Sequence, residues 1–287
     1  MRIGALETGG TEMVMAIGNE WGEIIEKDTI PTEKPEVTMP QIISYFRKWD
    51  IDKLGIGTFG PVCLDKRSQK YGYILETPKL AWRNYNILGE LENGLHVPCY
   101  LDTDVNAAAL GEATWGNAGD VRNSIYIRVG TGIGAGIIVD RKPVHGLRHP
   151  EAGHVFVKRH ETDKFLGSCP YHQDCLEGMA SKQAVEGRWG KRVKELQDRE
   201  EVWKLEAYYL AQAVVDYILI LSPQRVILGG EVMHQQGLIQ RVRQEVKRLL
   251  AGYICMSELE DMEHFIVLSK LQDNQGIMGC IQLTQME

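Results

Sequence analysis

Short apolar runs, separated by glycine and asparagine turns, open the chain. Three strands are predicted there, over residues 2–6, 13–17 and 23–30, and the turn Glu7-Thr8-Gly9-Gly10-Thr11 forms the first corner. Strands of this length joined by such turns are typical of a β-meander. Apolar residues at helical spacing then predict a helix over 39–49. Strands over 54–56 and 100–102 and an alanine-rich helix over 105–115 follow.

A second unit of the same kind begins about 120 residues later. Its predicted elements are strands over 124–129, 137–139 and 143–144, a glycine-rich turn over 130–136, a helix over 202–221 and a strand over 226–228. Because the order of elements recurs without a residue-level repeat, we predict a duplicated α/β architecture of two lobes with a cleft between them. The predicted lobes are residues 1–117 and 118–287. Apolar residues after Asn274 predict a last helix, which could cross back to the N-terminal lobe.

The composition narrows the class of protein. With 44% hydrophobic and 25% charged residues, the chain has the make-up of a soluble globular protein. The net charge of −7 disfavours a nucleic-acid partner. No apolar run reaches the ~18 residues of a membrane span, and the first residues do not form a signal peptide. We therefore expect a cytoplasmic enzyme or binding protein with no membrane partner.

Both glycine turns are candidate phosphate-binding loops. Each follows a predicted strand, lacks side chains that would keep a phosphate from the backbone amides, and carries a threonine, Thr11 or Thr131. Backbone N–H groups oriented in this way bind anions. Neither turn has the Gly-Lys-Ser/Thr of a P-loop or the glycine pattern that opens a dinucleotide-binding helix. The alternative for each turn is a tight hairpin corner without a ligand.

Asp104 stands between a predicted strand and the alanine-rich helix. In this place a carboxylate can cap the helix N-terminus. It can also act as a general base that accepts the proton of a hydroxyl attacking a γ-phosphate, which is the main group that phosphoryl transfer asks of a protein besides a metal and charge-neutralising donors. The residue pattern leaves both interpretations open.

A histidine and cysteine cluster is the most specific motif. His154 lies upstream of Cys169-Pro-Tyr-His172-Gln-Asp-Cys175, and these four nitrogen and sulfur ligands fit a closed tetrahedral zinc site. Since no ligand position would stay open, the zinc would be structural. The alternatives are a disulfide between Cys169 and Cys175, or four residues without a metal.

Taken together, four strings resemble the ROK family of bacterial sugar kinases and repressors. They are Glu-x-Gly-Gly-Thr at 7–11, Asp-x-Asn-Ala-Ala-Ala-Leu-Gly-Glu at 104–112, Gly-Thr-Gly-x-Gly-x-Gly at 130–136, and Glu-x-Gly-His at 151–154 followed by the cluster. The resemblance spans Gly4 to Gly279. The short cluster, Glu7 and the strings GTFGPV and TPKLAW are similar to the fructokinase branch. The resemblance implies a two-lobed, actin-like ATPase fold of the ribonuclease-H kind, Mg-ATP as phosphoryl donor, and a homodimer.

The resemblance also assigns roles to individual residues. It implies that Asp104 is the general base. Sugar contacts are implied for Asn106, Glu151, His154 and Glu177, together with Gly60 and Pro61 of the sugar-side string. The implied phosphate and adenine loops contain Gly9, Gly10, Thr11, Thr131, Gly132, Gly229 and Gly230. The implied zinc ligands are His154, Cys169, His172 and Cys175.

One departure from the family pattern concerns the first glycine loop. Glu12 stands where the fructokinase branch usually has lysine, although alternation along a strand can turn its side chain away from the phosphates. We predict an ATP-dependent hexose kinase acting on D-fructose. The alternatives are a kinase for mannose, glucose or allose, and a catalytically weak sugar-binding ROK protein. A sugar-responsive repressor would carry a helix-turn-helix of ~60–80 residues before the first strand, so we do not expect a repressor.

Overall fold

The computed structural model describes residues 1–286, which divide into two compact units. One unit comprises Met1–Gly119, Lys142–Pro150 and the residues from Asn274 onward, and the other comprises Asp120–Arg141 and Glu151–Asp273. The strands are β1 Ile3–Thr8, β2 Glu12–Gly18, β3 Ile24–Pro31, β4 Lys53–Thr58, β5 Tyr73–Ile74, β6 Tyr85–Asn86, β7 Cys99–Thr103, β8 Ser124–Val129, β9 Ile133–Val139, β10 Lys142–Pro143, β11 Arg225–Gly229 and β12 Ile266–Leu268. The helices are α1 Pro35–Trp49, α2 Ile87–Leu95, α3 Asp104–Thr114, α4 Leu176–Ala180, α5 Lys182–Trp189, α6 Glu200–Leu221, α7 Leu238–Leu250, α8 Ser257–Glu260, α9 Met262–Phe265 and α10 Gln275–Leu283.

The first unit is built on a five-stranded sheet with the order β3-β2-β1-β4-β7. β1 to β3 form the antiparallel meander, whereas β1, β4 and β7 run parallel. Its core contains Leu6, Met15, Phe46, Ile56 and Trp82, all 2% exposed or less. Because parallel strands end at the same edge, the loops after β1, β4 and β7 lie side by side.

The helix after Asn274 is α10, which packs on α3 and on the strands β1 and β4. This close approach requires glycine, since a Cβ on Gly279 would lie 1.6 Å from the carbonyl oxygen of Ala107. In the sequence α10 is separated from α3 by about 160 residues, so that contact has no local signature.

The second unit repeats the plan, with its strands in the order β9-β8-β11-β12. β8 and β11 are parallel, and Gly229 at the end of β11 pairs with Arg128 near the end of β8. The buried faces of this sheet and of α6 contain Tyr126, Ile127, Leu228 and Tyr209. Of the glycine-rich stretch predicted as a turn, only residues 130–132 are a turn. From Ile133 the chain is strand, because Ile133, Ala135 and Ile137 alternate into the core.

Among residues 1–286, no helix combines the length and the apolar character that crossing a bilayer would require.

Candidate active site

Asp104 begins α3 directly after β7. The N-cap of this helix is Thr103, whose Oγ1 accepts a hydrogen bond from the backbone N–H of Asn106 at 3.1 Å. The capping interpretation of Asp104 is therefore wrong. Its carboxylate is only partly buried, and its Oδ1 accepts from the N–H of Val105 at 2.9 Å. Because β7 ends beside β4, Asp104 stands at the edge where the parallel strands of the first unit finish.

Asn106 is tied to the same edge by a buried carboxylate. Its Nδ2 donates to Asp102 Oδ1 at 2.8 Å, and His145 Nε2 lies 2.9 Å from Asp102 Oδ2. This hydrogen bond with Asp102 raises the pKa of His145, while burial opposes the shift. Sequence reasoning missed both Asp102 and His145, although two histidines in the string His145-Gly-Leu-Arg-His149 just before Glu151 were an available signal.

The first glycine loop is a closed hairpin corner between β1 and β2. The N–H of Gly9 donates to the carbonyl of Glu12 at 2.8 Å, and the hydroxyl of Thr32 donates to the carbonyl of Gly9 at 3.0 Å. Gly10 and Thr11 at its tip are exposed. Glu12 is also exposed, as the first residue of β2.

The loop that contains Gly60 and Pro61 follows β4 and lies next to the end of β1. Thr8 Oγ1 accepts from the N–H of Phe59 at 3.1 Å and donates to Thr58 Oγ1 at 2.9 Å. The Gly60–Pro61 peptide bond is cis. The first unit therefore brings together Asp104, Asn106, the first glycine loop and the Gly60–Pro61 loop at one sheet edge.

The two predicted glycine loops of the second unit lie at the ends of β8 and β11. The second glycine turn follows β8, and Gly229-Gly230 ends the neighbouring parallel strand β11. Thr131 is exposed at the tip of the turn. Glu177 lies at the end of this turn, since its Oε2 accepts from the N–H of Ile133, the first residue of β9, at 3.0 Å.

Glu151 precedes and His154 ends a short 3-10 turn, Ala152–His154, that packs against the start of β9. Only glycine fits at position 153, because a Cβ there would lie 1.8 Å from the carbonyl oxygen of Ile133. Tyr217 of α6 donates its hydroxyl proton to the carbonyl of Ala152 at 2.5 Å. Glu151, His154 and Glu177 are therefore held around one end of β9.

The histidine and cysteine cluster is assembled in the second unit. Ligand atoms of His154, Cys169, His172 and Cys175 all lie within 4.8 Å of one another. His154 Nδ1 is 3.7 Å from Cys169 Sγ and 3.5 Å from Cys175 Sγ. Both cysteines are free thiols, so the disulfide alternative is wrong. Burial raises the pKa of Cys175 to about 12.

A hydrogen-bonded frame supports the segment that leads to the cluster. Asp163 Oδ2 accepts from Arg188 Nε at 3.0 Å and from the hydroxyl of Tyr209 at 2.6 Å. Arg159 Nη2 donates to Asp174 Oδ2 at 3.1 Å, within the cluster loop itself. The segment is therefore positioned by one buried and one partly exposed ion pair in addition to any ion that the cluster binds.

Comparisons with known proteins identify the family of the chain. The model of the ROK family matches residues 3–287. A fructokinase from Pediococcus pentosaceus is 41% identical over 99% of this chain and 98% of its own length. A fructokinase from Zymomonas mobilis is 39% identical over 98% of this chain and 95% of its own length.

Among solved structures, a ROK hexokinase from Thermus thermophilus superposes with a TM-score of 0.79, covering 99% of this chain and 97% of that one at 23% identity. The predicted actin-like α/β fold is thereby confirmed. With a family model that matches almost every residue and relatives that align along their full length, the chain belongs to the ROK family.

Proposed function

We propose that this protein transfers the γ-phosphoryl group of ATP to D-fructose and forms fructose 6-phosphate. The observation that carries the proposal is the placement of Asp104 at the sheet edge that the first glycine loop and the Gly60–Pro61 loop also occupy. Thr103 is the cap of α3, so capping does not account for a carboxylate at the position of Asp104. The relatives named fructokinase, 41% and 39% identical, support the sugar assignment.

In the proposed reaction Asp104 takes the proton of the C6 hydroxyl as the hydroxyl oxygen bonds to the γ-phosphorus. The bond between this phosphorus and the bridging oxygen breaks, and ADP leaves with the electron pair on that oxygen. Mg²⁺ arrives with ATP as part of the substrate and neutralises phosphate charge. The glycine loops at 9–11 and 130–132 would bind the phosphates through backbone N–H groups, and Gly229-Gly230 would lie at the adenine end.

We infer that the sugar contacts come from Asn106, Gly60 and Pro61 in the first unit and from Glu151, His154 and Glu177 in the second. Carboxylate and imidazole groups suit this task because each can hold a hydroxyl in a fixed direction. Asn106 is held in place by its hydrogen bond to the buried Asp102, and His154 by its place in the cluster.

The cluster would hold a structural zinc ion through His154, Cys169, His172 and Cys175. The donor set fits, since two thiols and two imidazole nitrogens are the usual ligands of closed zinc sites. His154 turns Nδ1 toward the thiols, so the opposite ring nitrogen, Nε2, is the one that would reach a sugar hydroxyl. Zinc would supply no chemistry of its own beyond fixing the turn that carries Glu151 and His154.

We also propose a homodimer. Three large apolar side chains between His154 and Cys175 are exposed: Phe156 at 72%, Leu166 at 70% and Tyr171 at 66%. Exposed apolar side chains of this size are common at interfaces between protein subunits. Light scattering coupled to gel filtration at two protein concentrations measures the mass, and a 32.4 kDa species at both would contradict the dimer.

A coupled assay of ADP release with Mg-ATP tests the activity against fructose, mannose, glucose, allose and N-acetylated hexosamines. Preference for fructose, with the product identified by phosphorus NMR, is the expected result. Turnover on another hexose alone would keep the kinase and correct the sugar. Absence of turnover on all of them, with sugar binding still measurable by calorimetry, would refute the proposed activity and leave a sugar-binding protein.

A further inference from the structure

The first glycine loop has an unusual charge balance for a site that receives phosphates. The segment Glu7-Thr8-Gly9-Gly10-Thr11-Glu12 contains two carboxylates and no cationic side chain. Backbone N–H groups carry only partial charges, and transfer of a phosphoryl group develops further negative charge on its oxygens. A cation from elsewhere in the chain would therefore add to the charge neutralisation that Mg²⁺ brings to this loop.

Lys79 supplies an ammonium group to this loop. Its Nζ donates to the carbonyl of Gly10, at the tip of the loop, over a distance of 2.6 Å. The same Nζ lies 5.1 Å from the centre of the Phe59 ring, beside the Gly60–Pro61 loop. Lys79 is 69 residues from Gly10 in the sequence, so only the tertiary fold brings the two residues together.

The backbone of Lys79 is anchored by Trp82. The N–H of Trp82 donates to the carbonyl of Lys79 at 2.8 Å, and the indole Nε1 donates to the carbonyl of Glu33 at 2.8 Å. Trp82 is 2% exposed and packs edge-on against Phe59, with ring centroids 5.9 Å apart. A lysine on such a fixed turn loses less freedom on meeting a ligand than one on a mobile loop.

The electrostatic environment of Lys79 is consistent with a position close to Asp104 and the phosphates. Burial lowers the pKa of Lys79, whereas the negative charge of Asp104 acts in the opposite direction. The ammonium group and the proposed general base therefore belong to one electrostatic environment.

We propose that Lys79 is a catalytic residue that contacts the terminal phosphate of ATP at the first glycine loop and neutralises its charge during transfer. The proposal rests on the proposed kinase function. Lys79 stays protonated throughout: the sugar proton goes to Asp104, the new bond joins the sugar oxygen to the γ-phosphorus, and the electron pair of the broken bond leaves on ADP.

The test compares K79M, K79R and the control K70M. Lys70 is an exposed lysine that, like Lys79, lies between β4 and α2. Its Nζ donates to Asn84 Oδ1 at 3.0 Å. Removing one donor to a developing charge typically costs ~10²–10³ in kcat, so this loss is expected for K79M. K79R should recover at least a tenth of the wild-type kcat, and K70M should equal the wild type. Calorimetry should show a weaker affinity of K79M for AMPPNP, by tenfold or more, with little change for ADP or fructose.

Three results would overturn the proposal. They are a K79M variant within twofold of the wild-type kcat, an equal loss of AMPPNP and ADP affinity, and a loss confined to fructose binding. Equal losses would mean that Lys79 only orders the loop through Gly10. If wild-type protein phosphorylates no sugar, the proposed function fails, and the ratio of AMPPNP to ADP affinity still decides the role of Lys79. If K79M is less stable than the wild type, the ratio of AMPPNP to ADP affinity is measured below the melting temperature of K79M and still decides the role of Lys79.

Discussion

Asp102 offers a sharp test of how the first unit holds Asn106, the residue proposed to contact the sugar. Asp102 is 3% exposed, and its carboxylate accepts hydrogen bonds from the N–H of Thr103 at 2.7 Å and from Asn106 Nδ2 at 2.8 Å, besides the contact with His145. Asp102→Asn keeps the shape of the side chain and removes its charge. The substitution leaves the packing almost unchanged, so the stability that it removes measures what the charge contributes to these contacts.

Asp102→Asn should lower the unfolding free energy by one contribution that is independent of pH and by a second that depends on pH. Hydrogen bonds to charged groups contribute ~1.5–3 kcal/mol and neutral ones ~0.5–1.5 kcal/mol, so neutralising the acceptor of Thr103 and Asn106 should cost about 2 kcal/mol in unfolding free energy. The pair with His145 adds less than ~1 kcal/mol, because the histidine side chain is 42% exposed and solvent screens it.

The sign of the pH dependence follows from the raised pKa of His145 in the folded protein. Stability from this pair is fully present below the unfolded pKa of ~6.5 and is lost as pH rises through the folded pKa. Asp102→Asn should therefore lose more stability at pH 5.5 than at pH 8.5. In this variant Asn106 also loses a charged hydrogen-bond acceptor. The KM of the variant for fructose should therefore rise, while its kcat changes little.

Urea unfolding at pH 5.5 and 8.5 measures both parts, with His145→Gln and the double variant completing a cycle. Asp52→Asn is the control, since Asp52 is exposed and accepts one bond, from the N–H of Arg2 at 2.7 Å. An equal loss at both pH values, or strictly additive effects of Asp102→Asn and His145→Gln at pH 5.5, would refute the reasoning.

Three further outcomes are expected. Asp104→Asn should lower kcat by ~10²–10⁴ while fructose binding measured by calorimetry is retained, and an unchanged kcat would remove Asp104 from the role of base. Cys175→Ser, or chelation of the wild type, should abolish stoichiometric zinc in elemental analysis, lower the melting temperature and raise the fructose KM; a metal-free protein with unaltered melting and kinetics would make the cluster irrelevant. Glu206 is fully buried in α6, both its carboxylate oxygens lack a hydrogen-bond partner among residues 1–286, and burial raises its pKa well above the usual range against the charge of Arg188. The contribution of Glu206 to stability is thus fully present below the unfolded pKa of ~4.3 and is lost as pH rises through the folded pKa. Glu206→Gln should therefore gain stability relative to the wild type between pH 5 and pH 8 in urea unfolding, and a difference independent of pH would contradict this.

The local pattern of the sequence determined the elements that carry the two glycine loops. The meander of β1 to β3 and the strand β8 are visible in the sequence because short apolar runs and glycine corners are determined by neighbouring residues. The four cluster residues were also recognisable, since the spacing within 169–175 places three ligands on one loop. The end of the second glycine turn was not, because Gly134 and Gly136 do not prevent Ile133, Ala135 and Ile137 from alternating in a strand.

Contacts between distant segments were decided only by the tertiary structure. Lys79 reaches Gly10 across 69 residues, and His145 reaches Asp102 across 43 residues. Nothing near either residue in the sequence encodes its partner, because side-chain periodicity reports which face is buried and does not report what covers it. The sequence alone therefore determined the chemistry available to the site, while packing of the parallel strands and of α10 on α3 decided which charged groups meet at the sheet edge.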